Sequence, residues 1–160
     1  MPDVANEKRE YDEFYQWPEW GHEWSQAWGS ADDQWVGTIH RRIFRLLPTR
    51  SVLEIGPGFG RWTPYLISHC SRYYAIDIAE RAVAHCRRAY GALAGRPAFL
   101  LGDGYTLAGI ADGSISLVFS FDTLVHADLA CLTAYGKEIH RVSGDNVSIQ
   151  MIEDSLQKLL

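Results

Sequence analysis

The sequence predicts an α/β fold in which a mainly parallel sheet carries helices on both faces. Short apolar runs, each suited to a buried strand, alternate with helical patterns from about residue 50 onward. A glycine-rich turn at residues 56–60 joins the first of these runs to a helical pattern. Strands separated by helices build βαβ units, which give a parallel sheet. The length of 160 residues fits one domain with a substantial core.

Composition and charge argue against several classes of partner. Fifteen basic and 20 acidic residues give a formal net charge of −5 at pH 7, so electrostatics offer no case for a nucleic acid as main partner. No apolar run approaches the roughly 20 residues that span a bilayer. The polar N-terminus lacks the apolar stretch of a secretory signal. We therefore expect a cytoplasmic protein with no membrane partner. Cys70, Cys86 and Cys131 show no Cys-x-x-Cys spacing and are predicted to be core thiols.

The N-terminal residues 1–48 form an aromatic-rich extension followed by a helix. The extension concentrates rings in a polar segment: Tyr11, Phe14, Tyr15, Trp17, Trp20, Trp24 and Trp28. One interpretation is a cover that buries its rings on the core. The other is a lid over a ligand, with Trp24, Trp28 or Trp35 stacking on a substrate ring. The helical pattern spans residues 32–47, with Asp32 or Asp33 as its cap and Pro48 ending it.

Residues 49–160 carry the alternating pattern of the core. Strands are predicted at residues 52–55, 73–76, 98–101, 115–120 and 146–152. Helices are predicted at residues 61–70, 80–90, 129–142 and 154–160. The Asp112-Gly113 pair marks a turn before the fourth strand. This order predicts a doubly wound sheet.

The spacing of the glycine turn excludes two common phosphate-binding loops. Gly56, Gly58 and Gly60 fall at every second position, which lets a ligand approach the backbone closely. A P-loop requires Gly-Lys-Ser/Thr, whereas Arg61 and Trp62 follow the last glycine. The dinucleotide fingerprint requires its third glycine at position 61, where an arginine is too large. A turn of the form Glu54-x-Gly56-x-Gly58-x-Gly60 remains.

With this turn, residues 51–142 resemble the class I S-adenosylmethionine-dependent methyltransferases. The resemblance implies a Rossmann-like fold, S-adenosylmethionine as cofactor, and contacts to it from Glu54, Gly56, Gly58 and Gly60. Asp77 ends the second strand at the spacing of a ribose-binding acid, with Ile78 against the adenine. The alternative is that Asp77 caps the next helix.

Two further segments extend the implied cofactor site. The run Gly102-Asp103-Gly104-Tyr105 resembles the family's adenine-binding loop, in which Asp103 accepts a hydrogen bond from the exocyclic amine and Gly104 and Tyr105 line the ring. The alternative for Asp103 is a simple turn aspartate. Ser120, at the end of the fourth strand, is expected to face the transferred methyl group.

The segment after the fourth strand carries the candidate catalytic residues. Its run Phe-Asp-Thr-Leu-Val-His-Ala-Asp, residues 121–128, resembles that of bacterial methyltransferases acting on saccharide hydroxyls. His126 is the candidate general base, and Asp122 would orient it or hold a substrate hydroxyl. One alternative makes His126 a helix-start residue capped by Asp122. In another alternative, Asp122, His126 and Asp128 coordinate a metal ion. Our leading expectation is a site without a metal.

The C-terminal part departs from the family pattern. The full family core has seven strands, and we expect this sequence to lack strands six and seven. The exposed sheet edge would need a cover, for which a homodimer is one possibility. Three alternative functions therefore remain. The leading one is a saccharide or small-molecule O-methyltransferase, and the others are a non-catalytic cofactor- or protein-binding module and an N-methyltransferase.

Overall fold

A computed structural model of the chain describes residues 4–14, 17–94, 97–144 and 148–152. The helix predicted at residues 154–160 and the first two residues of the predicted fifth strand lie outside these ranges. Within them, no helix combines the length and the hydropathy that crossing a bilayer requires.

The described residues form a parallel sheet of five strands in the order β3-β2-β1-β4-β5. The strands are β1 (Thr49–Ile55), β2 (Cys70–Asp77), β3 (Ala98–Leu101), β4 (Leu117–Phe121) and β5 (Ser148–Ile152). The predicted α/β class and doubly wound parallel sheet are confirmed. β1 and β2 are longer than predicted because their first residues pair with each other, Thr49 lying opposite Cys70.

Six α-helices accompany the strands in the described residues. They are α1 (Val4–Arg9), α2 (Ala31–Gln34), α3 (His40–Ile43), α4 (Thr63–Ile67), α5 (Glu80–Tyr90) and α6 (Leu129–Ser143). Wider or tighter turns continue several of them, at Glu10–Phe14, His22–Trp28, Trp35–Ile39, Phe44–Leu46 and Leu124–His126. The helix predicted over residues 32–47 is therefore a run of α, π and 3-10 turns from residue 31 to residue 46.

Two local predictions are wrong for identifiable reasons. Ser30, not Asp32 or Asp33, caps α2: its Oγ accepts a hydrogen bond from the Asp33 backbone N–H (3.1 Å). The helix predicted over residues 61–70 covers only Thr63–Ile67, because Cys70 already belongs to β2. Cys70 is thus a half-buried strand residue at the border of the core, whereas Cys86 and Cys131 are buried as predicted.

The two faces of the sheet pack into separate apolar clusters. Because strand side chains alternate, Val52 of β1 faces one cluster, and Leu53 and Ile55 face the other. The first cluster receives apolar side chains from residues 31–43, α4 and α5, and the second receives them from α6 and residues 107–115. Helices on both faces bury the sheet, as expected for parallel strands.

Arg141 fixes α6 against the loop that precedes β4. Its Nη1 donates to Asp112 Oδ1 (2.5 Å) and to the Ile110 carbonyl (3.0 Å), and its Nη2 donates to Glu138 Oε2 (2.7 Å). Glu138 also accepts from the Leu107 N–H (2.8 Å). Hydrogen bonds from Arg141 and Leu107 lower the pKa of Glu138 to about 2. α6 is thereby held in place along one wall of the cavity described next.

Candidate functional site

A cavity opens at the carboxyl ends of β1, β2 and β4, where the strand order reverses. It encloses about 1090 Å³ of empty space, including the part that is open to solvent. Its walls come from the glycine turn, the residues after β2 and β4, α6, and the N-terminal segment. Ligands of open α/β sheets bind at this reversal point, because the loops on its two sides diverge.

The glycine turn forms the floor of the cavity, and all three glycines have left-handed backbone angles. The φ angles are +69° at Gly56, +56° at Gly58 and +90° at Gly60. A Cβ at Gly56 would lie 2.5 Å from Thr123 Oγ1, and one at Gly60 would crowd the Tyr90 ring. At Gly58 an added Cβ would meet no atom within 4 Å. Gly56 and Gly60 therefore allow close packing within the protein, while Gly58 lines the cavity with free space beside its Cα.

Asp77 lies at the carboxyl end of β2 and connects that strand to the glycine turn. Its Oδ2 accepts from the Gly58 N–H (2.9 Å), and its Oδ1 accepts from the Ala79 N–H (2.9 Å). Burial raises the pKa of Asp77, although these hydrogen bonds oppose the rise. An ionised carboxylate has about four acceptor positions, so Asp77 can still accept from a ligand. The alternative role as helix cap does not hold, since Ala79 occupies the N-cap of α5. Ile78 also lines the cavity.

Asp103 folds back on its own loop and is not among the described residues that line the cavity. Its Oδ1 accepts from the backbone N–H groups of Tyr105 (2.8 Å) and Thr106 (2.7 Å). This is the geometry of the turn aspartate that the sequence left as an alternative. Gly104 does line the cavity, and a Cβ there would press on Val4 of α1 at 2.6 Å. Of these two adjacent residues, Gly104 therefore belongs to the cavity wall and Asp103 does not.

Glu54 and Ser120 are buried beneath the cavity and do not line it. Glu54 accepts hydrogen bonds from Thr63 Oγ1 (2.9 Å) and from the Tyr73 hydroxyl. Burial raises its pKa to about 7, despite these bonds. Ser120 Oγ donates to the Ile55 carbonyl (3.2 Å), which ties β4 to the last residue of β1. Both residues therefore hold the strands that carry the glycine turn.

The segment after β4 reaches the cavity with Asp122, Thr123 and Asp128. Asp122 has a left-handed φ of +53°, uncommon for a residue other than glycine. Asp128, not Asp122, caps α6, because its Oδ1 accepts from the Cys131 N–H (2.7 Å). The backbone of His126 ends a short 3-10 helix at this place, while its side chain lies outside what the structure describes. The geometry of the proposed base thus stays a prediction.

The aromatic extension forms one wall of the cavity with Tyr11, Trp17, Trp20 and Trp24. The rings of Trp17 and Trp24 lie 4.4 Å apart, and Trp20 stacks on His85 of α5 at 4.2 Å. Trp24 lines this wall and is 42% exposed. The segment consequently contacts both the core and the cavity.

The other two candidate tryptophans lie elsewhere. Trp35 is buried in the core, stacked on Tyr65 at 4.8 Å, and neither it nor Trp28 is among the described residues that line the cavity. Substrate contacts predicted for Trp28 and Trp35 therefore have no support from this geometry, because Trp35 packs in the core and Trp28 is outside the described cavity lining.

Arg61 and Trp62 are site residues that the sequence argument did not identify. Both line the cavity, although Arg61 is only 8% exposed and Trp62 only 3%. The Arg61 guanidinium lies 4.6 Å from the Trp62 ring centre and 5.4 Å from that of Phe121. Trp62 Nε1 is buried without a hydrogen-bond partner in the described structure. A buried unpaired donor costs roughly 1–3 kcal/mol. The signal in the sequence that could have identified this part of the site is Arg61 itself, a basic residue directly after the glycine turn.

The sheet order, the glycine turn and the strand-end acid define an α/β domain with a cavity at the sheet's reversal point. The profile of the family described as "Methyltransferase domain" matches residues 52–146, more than half of the chain. The chain belongs to this methyltransferase domain family. Among curated proteins, none matches the sequence.

Several solved structures share the fold at low sequence identity. A complex described as "DhpI-SAM-HEP" superposes with a TM-score of 0.64 at 19% identity, over 86% of this chain and 63% of that one. A SAM-dependent methyltransferase from Aquifex aeolicus gives 0.59 at 20% identity, over 71% of this chain and 62% of that one. The phosphoethanolamine N-methyltransferase 1 of Haemonchus contortus, solved with phosphoethanolamine and S-adenosylhomocysteine, gives 0.69 at 18% identity, over 92% of this chain and 31% of that one. The chain thus spans less than two thirds of each of these structures.

Proposed function

We propose that the chain binds S-adenosylmethionine in the cavity and transfers its methyl group to a hydroxyl of a saccharide or another small molecule. Membership of the methyltransferase domain family supports the reaction class. The observation that carries the proposal is the position of Asp77. This carboxylate lines the cavity at a strand end and accepts a hydrogen bond from the Gly58 N–H (2.9 Å). A carboxylate so placed suits the two adjacent hydroxyls of a ribose.

Of the other predicted cofactor residues, some line the cavity and would contact the cofactor, and the others stabilise the turn and strands behind it. Gly56 and Gly58 provide the backbone surface, Ile78 provides an apolar surface, and Gly104 lines the cavity where Val4 packs against it. Gly60, Glu54 and Ser120 act indirectly, because they pack the turn against α5 and tie β1 to its neighbours. Asp103 orders the loop that carries Gly104.

S-adenosylmethionine supplies a methyl group already activated by the positively charged sulfur to which it is attached. The protein must therefore chiefly orient the acceptor, and orientation can lower a barrier by roughly 7–11 kcal/mol. A sugar hydroxyl also needs to lose its proton, and His126 is our candidate base, with an expected contribution of about 10²–10⁴-fold. Asp122, which lines the cavity after β4, would orient the imidazole or the acceptor. The half-exposed ring of Trp24 offers an apolar surface for a sugar face.

An amine acceptor is the second candidate function. Glu7, Asp122 and Asp128 line the cavity, and their carboxylates would attract a protonated amine. The Haemonchus contortus neighbour is itself an N-methyltransferase. A third candidate is a binding module without turnover. We further propose that the protein is cytoplasmic. We also propose that it forms a homodimer that covers the outer edge of the sheet, and sedimentation velocity would test this dimer through its mass.

The first test is calorimetric titration of the folded chain with S-adenosylhomocysteine, and absence of binding would overturn the proposal. The second is a mass-spectrometric screen for methylated saccharides, alcohols and amines, which separates the three candidates. The third compares His126→Gln with His140→Gln, since His140 is an exposed residue of α6. The first variant should keep cofactor affinity and lose turnover by at least 10²-fold, and the second should change neither. Full turnover by His126→Gln would exclude the base assignment.

A further inference from the structure

The N-terminal segment covers the cavity although little of it is built into the core. α1 spans six residues, and none of these six is buried. A helix of this length is unstable in water by itself, and segments that bury little apolar surface open before the core does. The described residues of this segment that line the cavity are Val4, Glu7, Tyr11, Trp17, Trp20, Gly21 and Trp24. We therefore expect this wall of the cavity to open more readily than the walls that come from the sheet.

Two hydrogen bonds join this segment to the first turn of α5. The Arg81 N–H donates to Asp12 Oδ1 (3.1 Å), and Arg81 Nη1 donates to the Asp12 carbonyl oxygen (3.0 Å). The N-cap residue of α5, Ala79, has no side-chain oxygen with which to accept from this turn. Asp12 therefore supplies the acceptor that the helix start lacks, although the two residues are 69 positions apart. We call the pair Asp12 and Arg81 the latch.

Two consecutive residues with left-handed backbone angles connect this segment to the rest of the chain. The φ angles are +55° at Trp20 and +86° at Gly21. Such an angle is rare and strained for a residue as bulky as tryptophan. Contacts of its ring hold Trp20 in place, because it stacks on His85 (4.2 Å) and meets Phe59 edge-on (5.4 Å). When these contacts are lost, Trp20 can relax and the segment can turn about this point.

The latch lies beside the strand-end acid of the cavity. Asp77 Oδ1 accepts from the Ala79 N–H (2.9 Å), and the latch holds Arg81 two residues further along. Burial chiefly raises the pKa of Asp77, and the nearby charge of Asp12 adds to the rise. A ligand bound to Asp77 therefore stabilises the start of α5, to which the latch is fixed. Because such coupling is reciprocal, a closed latch favours the ligand by the same factor.

We infer that residues 4–14 and 17–20 form a lid over the cavity, which turns at Trp20 and Gly21 and which the latch holds closed. The lid opens for ligands to enter and leave, and a ligand on Asp77 keeps it closed. The inference rests on the proposed function, because S-adenosylmethionine and its acceptor are then the ligands beneath the lid. A weakened latch should open the lid more often in the unliganded chain and release a bound ligand faster.

Trypsin measures lid opening on the full chain without any ligand. α1 contains Lys8 and Arg9, and trypsin cuts there when the helix opens. Mass spectrometry follows the cut after Arg9. A cut after Arg72 in β2 is the internal reference, because it requires the sheet itself to unfold. The latch variants are Asp12→Ala and Arg81→Gln. Their matched controls, Glu13→Ala and Arg88→Gln, remove exposed charges of the same sign from the same two segments.

Both latch variants should be cut after Arg9 at least fivefold faster than the wild type, and both controls within twofold of it. The cut after Arg72 should stay within twofold in all variants, since the lid opens without the core. Saturating S-adenosylhomocysteine should slow the cut after Arg9 in the wild type at least fivefold. Stopped-flow tryptophan fluorescence should show S-adenosylhomocysteine leaving the latch variants at least threefold faster than the wild type and the controls.

Cleavage of the latch variants at the wild-type rate would overturn the lid, and so would an equal rise of the cuts after Arg9 and Arg72. Bound S-adenosylhomocysteine that neither protects α1 nor leaves the latch variants faster would overturn it as well. If the chain binds no S-adenosylhomocysteine, the proposed function fails, whereas cleavage of the unliganded variants still decides on the lid. Should Asp12→Ala not fold, Arg81→Gln decides by the same criteria.

Discussion

An alanine at Gly56 tests whether the glycine turn depends on its contact with Thr123. The added Cβ would lie 2.5 Å from Thr123 Oγ1 and 2.7 Å from Thr123 Cβ. The left-handed φ of +69° costs an alanine about 1–2 kcal/mol. Overpacking adds about 1–3 kcal/mol. Gly58→Ala is the matched control, since its φ is +56° and its Cβ would meet open space. We therefore expect Gly56→Ala to be less stable than Gly58→Ala by roughly 1–3 kcal/mol.

Urea unfolding followed by circular dichroism measures both free energies. A third variant combines Gly56→Ala with Thr123→Ser, which removes the methyl group nearest to the new Cβ and keeps the hydroxyl that donates to the Gly56 carbonyl. This double variant should recover part of the lost stability. Equal destabilisation by the two single alanine variants, with no recovery in the double variant, would refute the reasoning.

Three further predictions concern acidic residues. The pKa of Glu54 is raised by burial from 4.5 to about 7, so ionisation destabilises the folded chain as pH rises. Relative to Glu54→Gln, the wild type should lose about 2–3 kcal/mol of unfolding free energy between about pH 5 and pH 8 in urea titrations, and parallel profiles would contradict this. Asp77→Asn should weaken S-adenosylhomocysteine at least tenfold in calorimetry, and Asp103→Asn less than threefold, because only Asp77 lines the cavity; the reverse order would exclude these assignments. Asp128→Ala should lower the unfolding free energy by about 1 kcal/mol through loss of the α6 cap, and an unchanged value would show that the cap contributes nothing.

Local pattern was sufficient for the elements whose signals lie within a few residues. The helix over residues 80–90 and the strand over residues 98–101 appear with the predicted bounds. The glycine turn was readable because backbone angles are local, and all three glycines have positive φ. The position of Asp77 at a strand end followed from the same strand pattern. By contrast, the first residues of β1 and β2 form strand through pairing with each other, which no window of sequence contains.

Side-chain direction was the part of the site that needed the tertiary structure. Asp103 and Gly104 are neighbours in sequence, yet the loop turns one toward its own backbone and the other toward the cavity. Trp24 and Trp35 looked equivalent as substrate contacts, but only Trp24 lines the cavity because Trp35 completes the core. From the sequence, Arg61 was only a residue too large for a dinucleotide-binding turn. Its place in the cavity wall depends on contacts with the rings of Trp24 and Phe121, which belong to distant segments.

The sequence by itself therefore determined the α/β class, the parallel sheet, the glycine turn and the acid at the end of β2, because periodicity and backbone preference act over short distances. The tertiary structure decided which of the candidate side chains share one cavity. It brought Ser25 of the N-terminal extension to Arg61 beside the glycine turn, and Thr123 after β4 to Gly56. Such contacts join segments tens of residues apart, and only the packing of the whole chain sets them.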